Sequence, residues 1–333
     1  MARVIHTAQA LVDVVVEVEA LPVRGGNAVA TSYHRYAGGA VNILLAAARS
    51  GATAVLAGSV GTGPNGDLVR AALAAGGVGV SSPPVVGEDT GICVVMVEPS
   101  AERTFVTTQG AERRITVASL QTSAPVPGDL VCVSGFSLAG RTRDPLLGWV
   151  DGLADGVVVV LDPGDGFGRL GAAVRERVLR RTTVWTSNAD EATAVTGVED
   201  PATSVAAVAS LLGDDTVVIV RDGPRGCHLR ESGHTAHLPG YPQEPLDTNG
   251  AGDCHTGVLV ACRAAGLDWV TAATRANAAG ATKVTLRGPD TAPTAAEIDA
   301  FLAREVETGQ ERRPSQASGP GQARRPGQAR RPG

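Results

Sequence analysis

Asp247, Thr248, Asn249, Gly250, Ala251, Gly252 and Asp253 stand in a row, directly before an apolar, helix-like stretch from Cys254 to Gly266. Gly250, Ala251 and Gly252 are small enough for backbone N–H groups to face a ligand closely. A helix that starts here offers unpaired N–H groups and a positive dipole end, which suit a transferring phosphate. Asp253 lies at the mouth, where a carboxylate can take a proton from a hydroxyl. A loop, an anion site and a base within one short run are what phosphoryl transfer to an alcohol requires, because that chemistry is mostly positioning and charge stabilisation. The plainer reading is an Asp at a helix start after a Gly-rich turn.

Other residues could serve the same chemistry. Ala37, Gly38 and Gly39 precede Asn42, which opens an apolar, Ala-rich helix that stops near Gly51. The Asn42 amide can donate and accept, as neighbouring sugar hydroxyls demand, or it can cap its helix. Asn188 and Glu191 have the spacing of a capping box, and as hard oxygen donors they also suit Mg2+. Gly61, Gly63 and Gly66 fit the G-x-G-x-x-G spacing of a dinucleotide site, but Pro64 explains that turn without a cofactor.

The elements that position these residues alternate. Short apolar runs at 54–57, 130–133, 157–161, 183–186 and 217–220 read as buried strands. Helical patterns lie at 65–75, 144–154, 169–180, 189–196 and 201–212. Such alternation predicts βαβ units and a mostly parallel sheet. Further helices are expected at 254–265, 268–281 and 294–305. Residues 13–36 and 90–108 break the rhythm with period-two patterns, Val14, Val16 and Val18 in one, Ile92, Val94 and Met96 in the other. They predict a small antiparallel sheet apart from the main one.

Aromatics make up only 3% of the 333 residues, so the core must come from Val, Leu, Ile and Ala. A net charge of −5 gives no ground for nucleic-acid binding. Cys93, Cys132, Cys227, Cys254 and Cys262 form no C-x-x-C pair, so neither a metal cluster nor a disulfide framework is expected. Reduced thiols and the lack of a leader or an 18-residue apolar run predict a cytoplasmic protein without a membrane partner. Beyond residue 306 the chain is Gly, Pro, Gln, Arg and Ser, with G-Q-A-R-R-P repeated, and is expected to be a disordered basic tail.

The run at 247–253 resembles the D-T-x-G-A-G-D signature of the ribokinase-like (PfkB) family of carbohydrate and nucleoside kinases, and residues 1–305 are similar to that family's domain. The resemblance implies a doubly wound α/β fold whose small antiparallel sheet, from about 13–36 and 90–108, is a lid over the sugar and a homodimer contact. It implies ATP and Mg2+ as cofactors and a small sugar or nucleoside as acceptor. Asp253 becomes the general base, with the N–H groups of Gly250, Ala251 and Gly252 as the anion hole. Asn42 matches the Asn of the family's amino-terminal G-G-x-x-x-N, with Ala37 in the first Gly position, Gly38 in the second and Gly39 following, and Asp13 matches the Asp that holds sugar hydroxyls. Asn188 and Glu191 match N-x-x-E at the Mg–phosphate end, and Asp247 belongs to a region that can hold K+. Arg221, Gly223 and Gly226 match the turn beside the nucleotide, and Asn277 an Asn near adenine.

Four departures stand out. Ala37 takes the first Gly position of the amino-terminal motif. Leu11 replaces the Asn that ribokinases proper carry two residues before Asp13, which speaks against ribose. Arg221 stands where a small hydroxyl residue is usual. His255 replaces an aromatic and is read as a packing substitute for it. The expected activity is ATP-dependent phosphorylation of a hydroxymethyl group on a sugar-like molecule. The alternatives are a nucleoside kinase, with Tyr33, Tyr36 and Phe105 as the only rings available to stack a base, and a non-catalytic sugar-binding protein.

Overall fold

The computed structural model describes residues 2–311 apart from Ala101, Asp214, Pro289 and Asp290. Residues 312–333, which hold most of the expected basic tail, lie outside the described residues.

In chain order the strands are β1 (Arg3–His6), β2 (Ala10–Val18), β3 (Ala30–Gly39), β4 (Thr53–Leu56), β5 (Gly79–Val80), β6 (Ile92–Val97), β7 (Arg103–Thr107), β8 (Leu130–Ser134), β9 (Val158–Asp162), β10 (Val184–Asn188), β11 (Val217–Arg221), β12 (Gly226–Glu231) and β13 (His234–Pro239). The helices are α1 (Ala40–Arg49), α2 (Pro64–Ala75), α3 (Val117–Gln121), α4 (Arg143–Asp151), α5 (Ala172–Leu179), α6 (Ala189–Thr196), α7 (Pro201–Ala209), α8 (Ala251–Ala264), α9 (Trp269–Lys283) and α10 (Ala295–Glu311). Helix α10 runs past residue 306, where the tail was expected to begin.

The main sheet has the order β13-β12-β11-β10-β9-β8-β1-β4-β5. From β11 to β5 every pairing is parallel; β12 alone is reversed, pairing antiparallel with β11 and with β13. Short Val- and Ile-rich strands buried on both faces are what such a sheet selects. Successive side chains alternate between its two faces. Val4, Leu130, Cys132 and Ile219 pack with α1, α2, α8 and α9. Ile5, Val131, Val133 and Val218 pack with α4, α6 and α7 around Trp149, Trp185 and Phe167. Each fully buried Val, Leu or Ile contributes about 1.5–3 kcal/mol. The β12–β13 hairpin was not anticipated. Its turn, Ser232-Gly233, has positive φ at both residues, 48° and 81°, as a tight two-residue connection needs.

The parallel register sets the site. The carboxyl ends of β9, β10 and β11 finish together at Asp162, Asn188 and Arg221, with Asn188 paired to Arg221. Ligands in open α/β sheets sit at that edge.

The second sheet, order β3-β2-β6-β7, is the predicted small sheet. It is two antiparallel hairpins, β2–β3 and β6–β7, joined through a parallel β2–β6 pair. Asp13 lies opposite Tyr36 and Cys93, Val15 opposite His34 and Val95, and Glu17 opposite Ser32 and Val97. Alternation puts these rungs on one face. That face and residues 245–249 and 287–288 line a cleft of about 230 Å³.

Candidate active site

Helix α8 begins at Ala251, with Gly250 in the left-handed region at φ 74°. Its first i→i−4 bond runs from Cys254 N–H to Gly250 O. The N–H groups of Gly252 and Asp253 therefore lie ahead of the helical ladder, where they can serve an anion. Asp247 fixes the loop from the other end. One of its oxygens accepts from Asn249 N–H at 2.8 Å and the other from Gly288 N–H at 2.9 Å. These bonds stitch the loop to the turn after α9, and that is the role of Asp247 which the structure shows.

Asn42 and Asp253 meet. The Asn42 Nδ2 donates to Asp253 Oδ2 at 3.0 Å. Asn42 is buried, and its Oδ1 has no hydrogen-bond partner among the described residues. A buried amide oxygen left open is costly unless a ligand fills it, and a sugar hydroxyl would. Burial pushes the Asp253 carboxyl above the ordinary range; the Asn42 bond opposes this, Asp162 adds to it, and Arg221 and Lys283 oppose it. A carboxyl raised in this way is better matched to accepting a proton near neutral pH.

Asp13 joins the pair from β2. Its carboxyl is pushed up to about 7, mainly by burial and then by the charge of Asp253. The glycines at the end of β3 make this possible. A Cβ on Gly38 would lie 2.1 Å from Asp13 Oδ2, and one on Gly39 would lie 2.4 Å from Gln9 O. Gly38 thus leaves room for the carboxylate, and Gly39, at φ 63°, turns β3 into α1. Asp13, Gly38, Gly39, Asn42 and Asp253 form one surface.

At the sheet edge, Asn188 and Glu191 form the capping box of α6: Glu191 N–H donates to Asn188 Oδ1 at 2.7 Å, and Asn188 N–H donates to Glu191 Oε2 at 2.8 Å. Glu191 is also part of an ionic cluster. Arg221 Nη2 lies 3.6 Å from Glu191 Oε2 and 3.6 Å from Asp162 Oδ2. Its Nη1 donates to Thr186 Oγ1 at 2.7 Å and Thr256 Oγ1 at 3.0 Å. Burial, then mutual repulsion for Glu191, pushes the Asp162 and Glu191 carboxyls up, and Arg221 holds them down. Sequence reasoning missed Asp162. Its signal was a carboxylate at the end of the V-V-V-L-D strand. It also missed Lys283, which is fully buried in the last turn of α9 and donates from Nζ to Leu286 O at 3.4 Å.

Gly223 and Gly226, with φ of 55° and 102°, shape the turn after β11; a Cβ on Gly226 would meet Leu238 O at 2.1 Å. Asn277 packs helices: its Nδ2 donates to Leu238 O and Pro239 O, and its Oδ1 faces His255 Nε2 at 3.1 Å. Burial lowers the His255 imidazole to about 3, which makes it a weak proton acceptor. The glycine-rich turn at 61–66 takes no dinucleotide phosphate, because the carboxylate of Asp89 already accepts from Asn65 N–H and Gly66 N–H at the start of α2.

The comparisons agree with this geometry. The model of the pfkB family of carbohydrate kinases matches residues 1–295. An uncharacterized sugar kinase of Escherichia coli, YegV, is 30% identical over 296 residues, 87% of this chain and 90% of that protein. An ATP-dependent ribose-1-phosphate kinase of Halopiger xanaduensis is 28% identical over 310 residues, 91% of this chain and 99% of that protein. Among solved structures, a putative ribokinase II from Escherichia coli in complex with ATP and Mg2+ superposes with a TM-score of 0.76 at 24% identity, covering 91% of this chain and 100% of that one. With the family model matching residues 1–295 and a relative 30% identical over 87% of this sequence, the chain belongs to the pfkB family of carbohydrate kinases.

Proposed function

We propose that this phosphotransferase moves the γ-phosphoryl of ATP to a hydroxymethyl group of a small sugar or sugar-like acceptor, with Asp253 as the general base. The observation that carries the reading is the Asn42–Asp253 contact at the mouth of α8, which leaves Asn42 Oδ1 open beside the base. Asp13 and Asn42 orient the acceptor hydroxyls. Asp253 takes the proton, and the N–H groups of Gly252 and Asp253 stabilise charge on the moving phosphoryl. A positioned base contributes roughly 10²–10⁴ in rate. Asp253→Asn should abolish turnover and leave ATP binding intact by calorimetry; turnover within about tenfold of the parent would remove Asp253 from the role.

Asp162 and Glu191 fit Mg2+, which takes one or two carboxylates and keeps several waters. Both lie near one guanidinium nitrogen, and burial raises both, so a divalent cation would relieve their crowding. Bound there, Mg2+ would neutralise charge on the β and γ oxygens. The acceptor occupies the cleft under the small sheet, which acts as a lid. Its middle rung brings Val15, Val95 and the His34 ring to the cleft, which supports a nucleoside as the second reading. A panel of sugars and nucleosides assayed for ATP consumption separates the two. Among the described residues no helix is long and apolar enough to cross a membrane, and five reduced cysteines support a cytoplasmic site of action. Exposed Tyr33 and Val106 on the outer face of the lid support a homodimer through it, which light scattering checks.

A further inference from the structure

Arg221 is tethered unevenly. Nη1 is anchored on the buried hydroxyls of Thr186 and Thr256 at 2.7 and 3.0 Å. Nη2 hangs between Asp162 and Glu191 at 3.6 Å from each, well beyond the 2.7–2.9 Å of a charge-assisted hydrogen bond. The same edge of the guanidinium lies against the anion site: Nη2, Cζ and Nε are 3.8, 3.9 and 3.9 Å from where a Cβ of Gly252 would stand. The side chain is only 12% exposed. One end is therefore fixed, and the other end is held only by long contacts with two carboxylates, beside the start of α8.

We propose that Arg221 is a catalytic residue of the phosphoryl transfer, an arginine supplied by this chain's own β11 that donates from Nη2 and Nε to the γ-phosphoryl oxygens. The inference rests on the phosphotransfer reading. In the nucleotide-free protein, Arg221 serves as counter-ion to Asp162 and Glu191. When Mg·ATP enters, the guanidinium turns about its threonine anchor toward the phosphoryl group. The two carboxylates are then released to the waters of the cation. No covalent bond of Arg221 changes. A guanidinium is suited to this exchange because it stays protonated and its fork matches phosphate geometry, which an ammonium cannot copy.

Arg221→Lys and Arg221→Gln test it, alongside the parent protein with its best acceptor. Supplying or removing such an arginine changes kcat by about 10³–10⁵ in other phosphoryl-transfer enzymes. Here we expect Arg221→Gln to lose at least about a hundredfold in kcat with the acceptor KM little changed. Arg221→Lys should be nearly as slow, although it keeps the charge that balances Asp162 and Glu191. By calorimetry the preference for ATP over ADP should shrink in both variants, because the lost donors face the γ-phosphoryl. Guanidinium chloride should restore part of the Arg221→Gln rate. If Arg221→Gln does not fold, Arg221→Lys decides alone. A folded Arg221→Lys with parental kcat and an unchanged ATP:ADP ratio would overturn the proposal and leave Arg221 a structural counter-ion. Parent protein that phosphorylates no acceptor would instead overturn the phosphotransfer reading itself.

Discussion

The amide of Asn42 donates to the carboxylate of Asp253 at 3.0 Å across 211 residues of chain. This bond joins the start of α1 to the start of α8 and places the proposed acceptor-binding and proton-accepting groups on one surface. It also opposes the burial that raises the Asp253 carboxyl. Asn42→Ala should therefore let that carboxyl rise further. The acid limb of kcat/KM should move to higher pH, and the acceptor KM should rise by about tenfold, as loss of hydrogen bonds to a bound hydroxyl implies. A pH–rate profile that overlays the parent's would separate Asn42 from the base.

Asp13 trades stability for function. Folded Asp13 ionises near 7, and its unfolded counterpart near 3.8. Between these values the folded state holds a proton that the unfolded state has lost. Stability thus falls as pH rises from about 4 to about 7, then levels off. At about 1.4 kcal/mol per pKa unit the effect is of the order of a few kcal/mol. Asp13→Asn should flatten the fall and melt higher than the parent at pH 8, with weaker acceptor binding. Thermal melts across the pH range check the sign; a variant less stable at pH 8 contradicts it.

Gly38 is a clearance residue. Its substitution by Ala places a Cβ 2.1 Å from Asp13 Oδ2, so the carboxylate must move. Gly38→Ala should raise the acceptor KM by at least about tenfold, since displacement of a positioning group by about 1 Å has effects of that order or larger, and the ATP KM should not change. Equal effects on both substrates would mean that the clash spreads into the main sheet.

Asn277 resembles a nucleotide contact by sequence, yet its amide is engaged with Leu238 O, Pro239 O and His255. Asn277→Ala should lower the unfolding free energy by about 1–3 kcal/mol, the usual effect of leaving buried partners unmet, and leave the ATP KM alone. A selective rise in that KM on a protein of normal stability would restore the adenine role.

What could be read in advance follows from where the information lies. The 247–253 run is local, and a small-residue loop followed by an apolar helix is a pattern that needs no tertiary context. The parallel sheet was legible because buried strands such as 130–133 and 217–220 are continuous apolar runs. Strand β1 was not, since Arg3–His6 is short and mixed and becomes a strand only between β4 and β8. The relation of Asp162 and Glu191 to Arg221 depends on the register of β9, β10 and β11, which no local pattern carries. Lys283 looks like any helix-terminal lysine until the packing of α8 on α9 encloses it.

The parallel β2–β6 pair has a consequence for how this enzyme can change. The two hairpins of the small sheet come from stretches separated by α1, β4, α2 and β5; β4 and β5 belong to the other sheet, and α1 and α2 pack against it. The lid is therefore not a cassette. No single excision removes it and no single insertion transplants it. On the proposed reading, a new acceptor preference has to arrive side chain by side chain along the Asp13, Val15 and Glu17 rungs, or with both hairpins exchanged at once.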